Sequence, residues 1–223
     1  MGILKLRYPI KNGVFQNEQD ILTVFNHIYN KLDVKSEEIK EHPIFITEPI
    51  LNPYFHRKQI SSVLFDNLGV PALFFGSQPI LSLWASGDKS GLIIDSGEGI
   101  TQACIVYEGY SIPHSYMRYD FGGKQVTDYL QVLLKRIGYN FNTTSEYEIV
   151  KKIKESLCYT IMSSPTDDNK KLSETGPTHY SLPDGNLIPL KEEKILAPEI
   201  LFNPSMVGLE YPGKLFSSHF RLF

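Results

Sequence analysis

Cysteine is almost missing from this chain: Cys104 and Cys158 are the whole complement of its 223 residues. Both sit in apolar surroundings and make no metal-ligand spacing. A disulfide-stapled scaffold and a sulfur-bound zinc site are therefore excluded, and both thiols are expected to be reduced core residues. Excess positive charge is missing too, since the formal net charge is −3. General nucleic-acid binding needs a basic surface that displaces counterions, so no nucleic-acid partner is expected. No apolar run approaches the roughly 20 residues of a membrane-spanning helix, so no membrane insertion is expected. The first residues lack the apolar core of a signal peptide, and Leu6 stands where a myristoylation site needs Ser or Thr. The expected address is the cytoplasm. Six histidines are scattered without ligand spacing, and no Ser-His-Asp or Cys-His arrangement stands out.

What is present suits a globular protein. Hydrophobic residues make up 42% and charged residues 21% of the chain, enough to core one large domain or two small ones. A strand-like start, Ile3–Leu6, precedes a turn at Lys11-Asn12-Gly13. The spacing predicts a helix from Asn17 to about Leu32, with Ile21, Val24, Phe25 and Ile28 on its buried face. Pro43–Thr47 reads as a buried strand. Asn52-Pro53 reads as an N-cap with a first-turn proline, opening a helix that carries Ile60, Val63, Leu64 and Leu68. Val70–Phe75 reads as a second buried strand, leading into a short helix, Gln78–Ala85, closed by Gly87.

Further on, Tyr110–Pro113 is expected as a strand. Gly122-Gly123 precedes a helix with Val126, Leu130, Leu133, Leu134 and Ile137, ended by Gly138. Ser145 with Glu148 reads as a capping box before Ile149, Ile153 and Leu157. Residues 163–178 read as an exposed loop, Tyr180–Ile188 as a hairpin around Asp184-Gly185, and Pro198–Phe202 as a last short helix. Alternating strands and helices in the first half favour an α/β layer arrangement.

The most informative stretch is Gly91–Gln102. An apolar strand ends in Asp95, a turn of small residues follows through Gly97, Glu98, Gly99 and Ile100, and Ala103–Tyr107 returns as a second strand. Gly97 and Gly99 can take positive φ and expose backbone N–H groups to an anion. Asp95 then stands where a hydrated divalent cation could be held against it. This is not a P-loop, because no Gly-Lys-Ser/Thr follows and the glycines lead into a strand. A plain hairpin connection is the other reading of these residues.

Collinear segments across the chain resemble the actin family. They include Tyr8-Pro9-Ile10, the run His42–Pro53, Leu81-Ser82-Leu83 with Ala85-Ser86-Gly87, and the hairpin Asp95–Thr101. They continue with Tyr107–Tyr110, Pro113-His114, Thr127–Leu130, Ile153–Glu155 through Cys158-Tyr159, Leu182–Gly185 and Ala197-Pro198-Glu199. Four shorter segments, Pro71–Phe74, His114–Arg118, Leu133–Arg136 and Gly208–Tyr211, lean toward the centractin type within that family, the actin-related subunit of the dynactin filament. Conventional actin or a divergent actin-like protein is the alternative.

The resemblance implies a partial actin-like (ribonuclease H-like) ATPase fold of class α/β, with mixed sheets, flanking helices and a more helical subdomain. Residues 1–85 would belong to the first lobe, 86–121 would open the second lobe with its phosphate hairpin, 122–213 would form that lobe's helical outer subdomain, and 214–223 a divergent tail. The chain would be an incomplete central portion of such a protein, with apolar surface left uncovered and prone to aggregation or to a partner.

The same resemblance implies ATP or ADP with magnesium or calcium, other actin-like protomers and dynactin subunits as partners, and a cytoskeletal setting. Asp95, Gly97, Glu98, Gly99 and Ile100 match the second phosphate hairpin, with Asp95 on the metal's water shell. Gln78 matches the glutamine that orients the attacking water. Gly123 matches a backbone position near the nucleotide, Lys154 and Glu155 match base and ribose contacts, and Lys151 replaces an arginine there; Lys151, Lys154 and Glu155 share one helical face, which also suits a solvated stripe. Gln102 stands where the family usually has a histidine, and a glutamine does not titrate near neutral pH, so hydrolysis is expected to be weak. Asn12 stands where many actins carry another histidine. A sugar kinase of the wider superfamily is disfavoured, since no base for a sugar hydroxyl stands out.

Overall fold

A computed structural model of the chain describes residues 7–161, 178–182 and 184–210. The expected strand at Ile3–Leu6, nearly all of the expected loop at 163–178 and the divergent tail lie outside the described residues. The chain divides into two compact units, Arg7–Phe121 and the residues from Gly122 onward.

The Arg7–Phe121 unit opens with a small hairpin, β1 (Ile10–Lys11) and β2 (Val14–Phe15), turned by Asn12 at φ 48° and Gly13 at φ 73°. Helix α1 (Glu18–Lys31) follows the expected span, and Asn17 Oδ1 accepts from the Asp20 N–H at 2.8 Å. Its buried face drifts from the expected stripe, because Tyr29 is buried while Ile28 is 42% exposed. Strand β3 (Ile44–Glu48) pairs in parallel with β4 (Leu73–Ser77), as a crossover through helix α2 (Tyr54–Ser62) requires. The strand expected at Val70 begins only at Leu73; Val70 closes the core beneath it.

Asn52 is not the N-cap expected of it. Pro53 occupies that position, and the Asn52 amide donates instead to Glu48 Oε2 at 2.8 Å. Beyond α2 a π-helical turn, Val63–Leu68, buries Val63 and Leu64 and ends at Gly69, φ 70°. One core lies between α1, α2 and the inner face of β3–β4, built on Ile21, Ile60, Val63 and Leu64.

Helix α3 spans Gln78–Ala85 as expected, and Gly87 takes φ 87° beyond it. A four-stranded antiparallel sheet follows. Strand β5 (Gly91–Ser96) pairs with β6 (Thr101–Tyr107), and β6 also pairs with β7 (Tyr110–Ser111) and β8 (Met117–Tyr119). The strand expected through Pro113 stops at Ser111, where a 3-10 turn, Pro113–Ser115, takes over. Ile50, Leu83, Ile93, Cys104 and Val106 pack together beneath this sheet, so Cys104 is the core thiol expected.

In the unit from Gly122 onward, α4 (Gly123–Arg136) buries Val126, Leu130, Leu133 and Leu134, and Gly138 takes φ 98° past its end. Ile137, expected on that face, is partly exposed. Helix α5 (Thr144–Leu157) is capped two residues before the expected box. Thr143 Oγ1 accepts from the Glu146 N–H, while Glu146 Oε2 accepts from the N–H groups of Asn142 and Thr143. The hairpin around Gly185 forms as expected, from β9 (His179–Ser181) and β10 (Leu187–Pro189).

The last helix, α6, covers Glu193–Glu199 and holds Pro198 inside it; the expectation that it would start at Pro198 is corrected. A proline there cannot donate to the Lys194 carbonyl. The Tyr159 N–H donates to that carbonyl instead, at 3.1 Å, so the acceptor is satisfied. Among the described residues no helix is long and apolar enough to cross a membrane.

Candidate functional site

Three side chains expected from the sequence meet at one end of the β5–β6 pair. Asp95 lies near the end of β5, Gln102 opposes it on β6, and Gln78 opens α3. Gln102 is 2% exposed and links the other two. Its Nε2 donates to Asp95 Oδ2 at 2.7 Å and to Gln78 Oε1 at 3.2 Å. Its Oε1 accepts from the Ile50 N–H at 2.9 Å, which fixes the orientation of the amide. A buried backbone donor thus sets which face of Gln102 meets the carboxylate.

The turn itself is tighter than the sequence suggests. Ser96 and Thr101 pair, leaving Gly97–Ile100 as the loop, and the Gly97 N–H donates to Ile100 O at 2.9 Å. Neither Gly97 nor Gly99 takes a positive φ; among the described residues the left-handed glycines lie elsewhere. Gly99 is required by close approach, since a Cβ there would stand 2.9 Å from Asn12 Oδ1 and 3.3 Å from Asn12 Cα. The Asn12-Gly13 turn therefore rests on the glycine turn, and a Cβ on Gly13 would likewise stand 2.9 Å from Ile100 Cδ1.

Arg118 holds that arrangement. Its guanidinium donates to Asn12 O at 2.9 Å, to Ile50 O at 3.2 Å and to Leu51 O at 3.3 Å, with Asp120 at 3.3 Å. Sequence reasoning missed it, because its acceptors are backbone carbonyls up to 106 residues away. A second missed cluster lies at the end of β3. Buried Glu48 takes a bidentate pair from Arg57 and a hydrogen bond from Asn52, and the guanidinium of Arg57 is correspondingly harder to deprotonate.

In the other unit, Lys154 Nζ donates to Gly123 O at 2.9 Å, which brings two of the expected nucleotide contacts together. Lys151 and Glu155 lie one turn and one residue from Lys154 along α5, Lys151 half-buried and Glu155 exposed. Beside them Cys158 is no reactive thiol: burial pushes its pKa up to about 12 against the opposing charge of Lys154.

Among the described residues no group of His, Cys, Asp and Glu could enclose a metal ion. The donor chemistry at Asp95 fits a different arrangement. One carboxylate beside two neutral amides suits a magnesium ion that keeps its waters, reached through them and not by direct ligation. An open depression lined by Trp84, Gly87, Asp88, Lys89, Glu108 and Gly109 lies near the start of β5 and holds none of the expected site residues.

The profile of the family described as Actin matches residues 1–215. An actin-like protein of Neurospora crassa is 42% identical to this chain over 218 residues. The alignment takes in 95% of this chain and 56% of the relative, so the chain spans little more than half the length of that protein. With a mixed α/β architecture consistent with part of the actin-like fold, this chain belongs to the actin family.

Proposed function

We propose that this chain is an actin-related cytoskeletal subunit of the centractin type, which associates with other actin-like protomers and with dynactin subunits and takes ATP or ADP with magnesium or calcium. The hydrogen-bonded trio Gln78–Gln102–Asp95 beside the glycine turn carries the nucleotide part of this reading. When bound, the metal-nucleotide supplies a phosphoanhydride and a counter-charge for it. Asp95 would hold the metal's water shell and residues Gly97–Ile100 would border the phosphates; in the other unit, Lys154 and Glu155 are the proposed base and ribose contacts, with Lys151 and the Gly123 backbone beside them. Gln78 would orient a water by hydrogen bonding, a positioning role and not base catalysis.

A second reading, an interaction module without ATP turnover, is favoured by two details. Gln78 Oε1 accepts from Gln102, and the Gly97 N–H is spent inside the turn. Each charge-assisted hydrogen bond to phosphate contributes roughly 1.5–3 kcal/mol. Immobilising the ligand costs an estimated 4–15 kcal/mol, so a few such bonds hold ATP only weakly. Fluorescent-ATP titration of the 223-residue protein is expected to give binding weaker than micromolar and no measurable hydrolysis; micromolar affinity would overturn the weak-binding reading. Co-purification with dynactin subunits, in preference to conventional actin, tests the centractin assignment.

A further inference from the structure

His56 lies on α2, 3% exposed, with both ring nitrogens facing donors. The Phe15 N–H on β2 donates to Nε2 at 3.0 Å, and Asn52 Nδ2 lies 3.1 Å from Nδ1. The Asn52 amide cannot simply turn over to present its oxygen, because the same Nδ2 donates to Glu48 Oε2. Asn52 Oδ1 is itself buried without a partner. Accepting from Phe15 leaves the neutral ring's own proton on Nδ1 beside the Asn52 amide, so a second proton would go to Nε2 and point at the Phe15 N–H, and its uptake breaks that hydrogen bond.

From this geometry we infer that His56 is a pH-sensitive latch: as a neutral ring it holds the β1–β2 hairpin against the glycine turn, and proton uptake in mildly acid solution releases that hairpin. The mechanical link is short. Phe15 ends β2, and the Asn12-Gly13 turn of the same hairpin rests on Gly99 and Ile100. The Phe15 ring also lies against the imidazole, with centroids 5.8 Å apart.

The charged groups around the ring do not cancel the effect. Glu48 on β3 favours the charged ring, but its carboxylate is already engaged by Arg57 and Asn52. Arg118 on β8 disfavours the charge, and burial disfavours it most, so the His56 pKa lies below the ordinary 6.5. The released state takes up its proton first as pH falls below about 6.5, gaining over the latched state by at most about tenfold per pH unit until the latched ring itself titrates. The latch thus holds at pH 7 and above and weakens steadily below. It does not depend on nucleotide.

Hydrogen–deuterium exchange of the 223-residue protein at pH 7.5 and 5.5, corrected for intrinsic rates, tests this. Protection of residues 9–16 is expected to fall at the lower pH, by up to about tenfold, while Leu130 and Leu134 on α4 stay protected. His56→Gln, whose side-chain oxygen can accept from Phe15 without titrating, is expected to keep that protection at both values. Unchanged protection in the wild type, loss across the whole chain at once, or the same loss in H56Q would each overturn the latch. Should H56Q not fold, nitrogen-15 spectra of the wild-type ring decide alone. A ring that gains its second proton as residues 9–16 lose protection supports the latch; a ring charged while they stay protected, or still neutral at pH 5.5, overturns it.

Discussion

A methyl group added at Gly99 separates two reasons for a glycine in the β5–β6 turn. If the turn is bare only so that an anion can approach, Gly99→Ala leaves stability alone. If the Asn12 turn needs the space, the new Cβ stands 2.9 Å from Asn12 Oδ1 and 3.3 Å from backbone atoms of Asn12. Strain of that kind costs about 1–3 kcal/mol. Gly97→Ala, whose Cβ would meet nothing nearer than Ile100 O at 3.7 Å, is the comparison and is expected to stay within about 0.5 kcal/mol of wild type. Urea denaturation midpoints of the two variants decide between the readings; a neutral Gly99→Ala removes the packing role. Gln102 shows the same economy at residue scale. Its oxygen serves the Ile50 backbone, and its nitrogen serves both Asp95 and Gln78. A side chain that binds three partners and never titrates ties the trio together, and its bond to Gln78 takes one of the two acceptor positions on that oxygen.

Whole elements were legible where local chemistry alone decides them. Helix α5 is the sharpest case, because two overlapping patterns, Thr143 with Glu146 and Ser145 with Glu148, both satisfy the capping rule. The first forms, since the Glu146 carboxylate reaches the N–H groups of both Asn142 and Thr143. Thr143→Ala is expected to cost about 1 kcal/mol and Ser145→Ala less, read from thermal or urea unfolding. Equal losses would return the cap to the later pair. Those backbone hydrogen bonds also hold the Glu146 carboxyl below its ordinary 4.5. Its contribution is therefore complete above pH 4.5 and fades as pH drops toward the folded value. Helix α3 was read to its last residue because Gln78-Pro79 starts it and Gly87 terminates it. Strand β8 was not read, because Met117–Tyr119 is only three residues long and exists by pairing with β6. Pro198 misleads for a similar reason: the Lys194 carbonyl it leaves without a helical donor is satisfied by Tyr159, far outside α6. The candidate site follows the same division. Asp95 and the turn stand out locally, Gln78 and Lys154 emerged only through family resemblance, and Arg118 and His56 act across distances that no sequence window contains.

The behaviour of the whole molecule in solution depends on surface that the Arg7–Phe121 unit leaves bare. Strands β3 and β4 bury Ile44, Ile46, Leu73 and Phe75 on their inner face, so the alternating positions Phe45 and Phe74 face outward. These two are paired across the parallel register, 55% and 65% exposed, and stacked with ring centroids 5.6 Å apart. Phe45 also covers Gly76, where a Cβ would collide with its ring. Among the described residues this two-stranded parallel sheet has no further strand on either edge, and its outer face is aromatic, the combination that favours chain-to-chain association. Phe74→Ser should act in opposite directions on two measurements. Losing the stacked pair lowers folding stability by about 0.5–1.5 kcal/mol, while removal of the exposed ring raises the concentration at which light scattering first detects aggregates. A destabilised variant ordinarily aggregates more readily, because its unfolded fraction rises, so greater solubility in a less stable protein isolates the role of the native surface. If Phe74→Ser aggregates sooner than the wild type, association proceeds through unfolded chains and the exposed sheet face has no part in it.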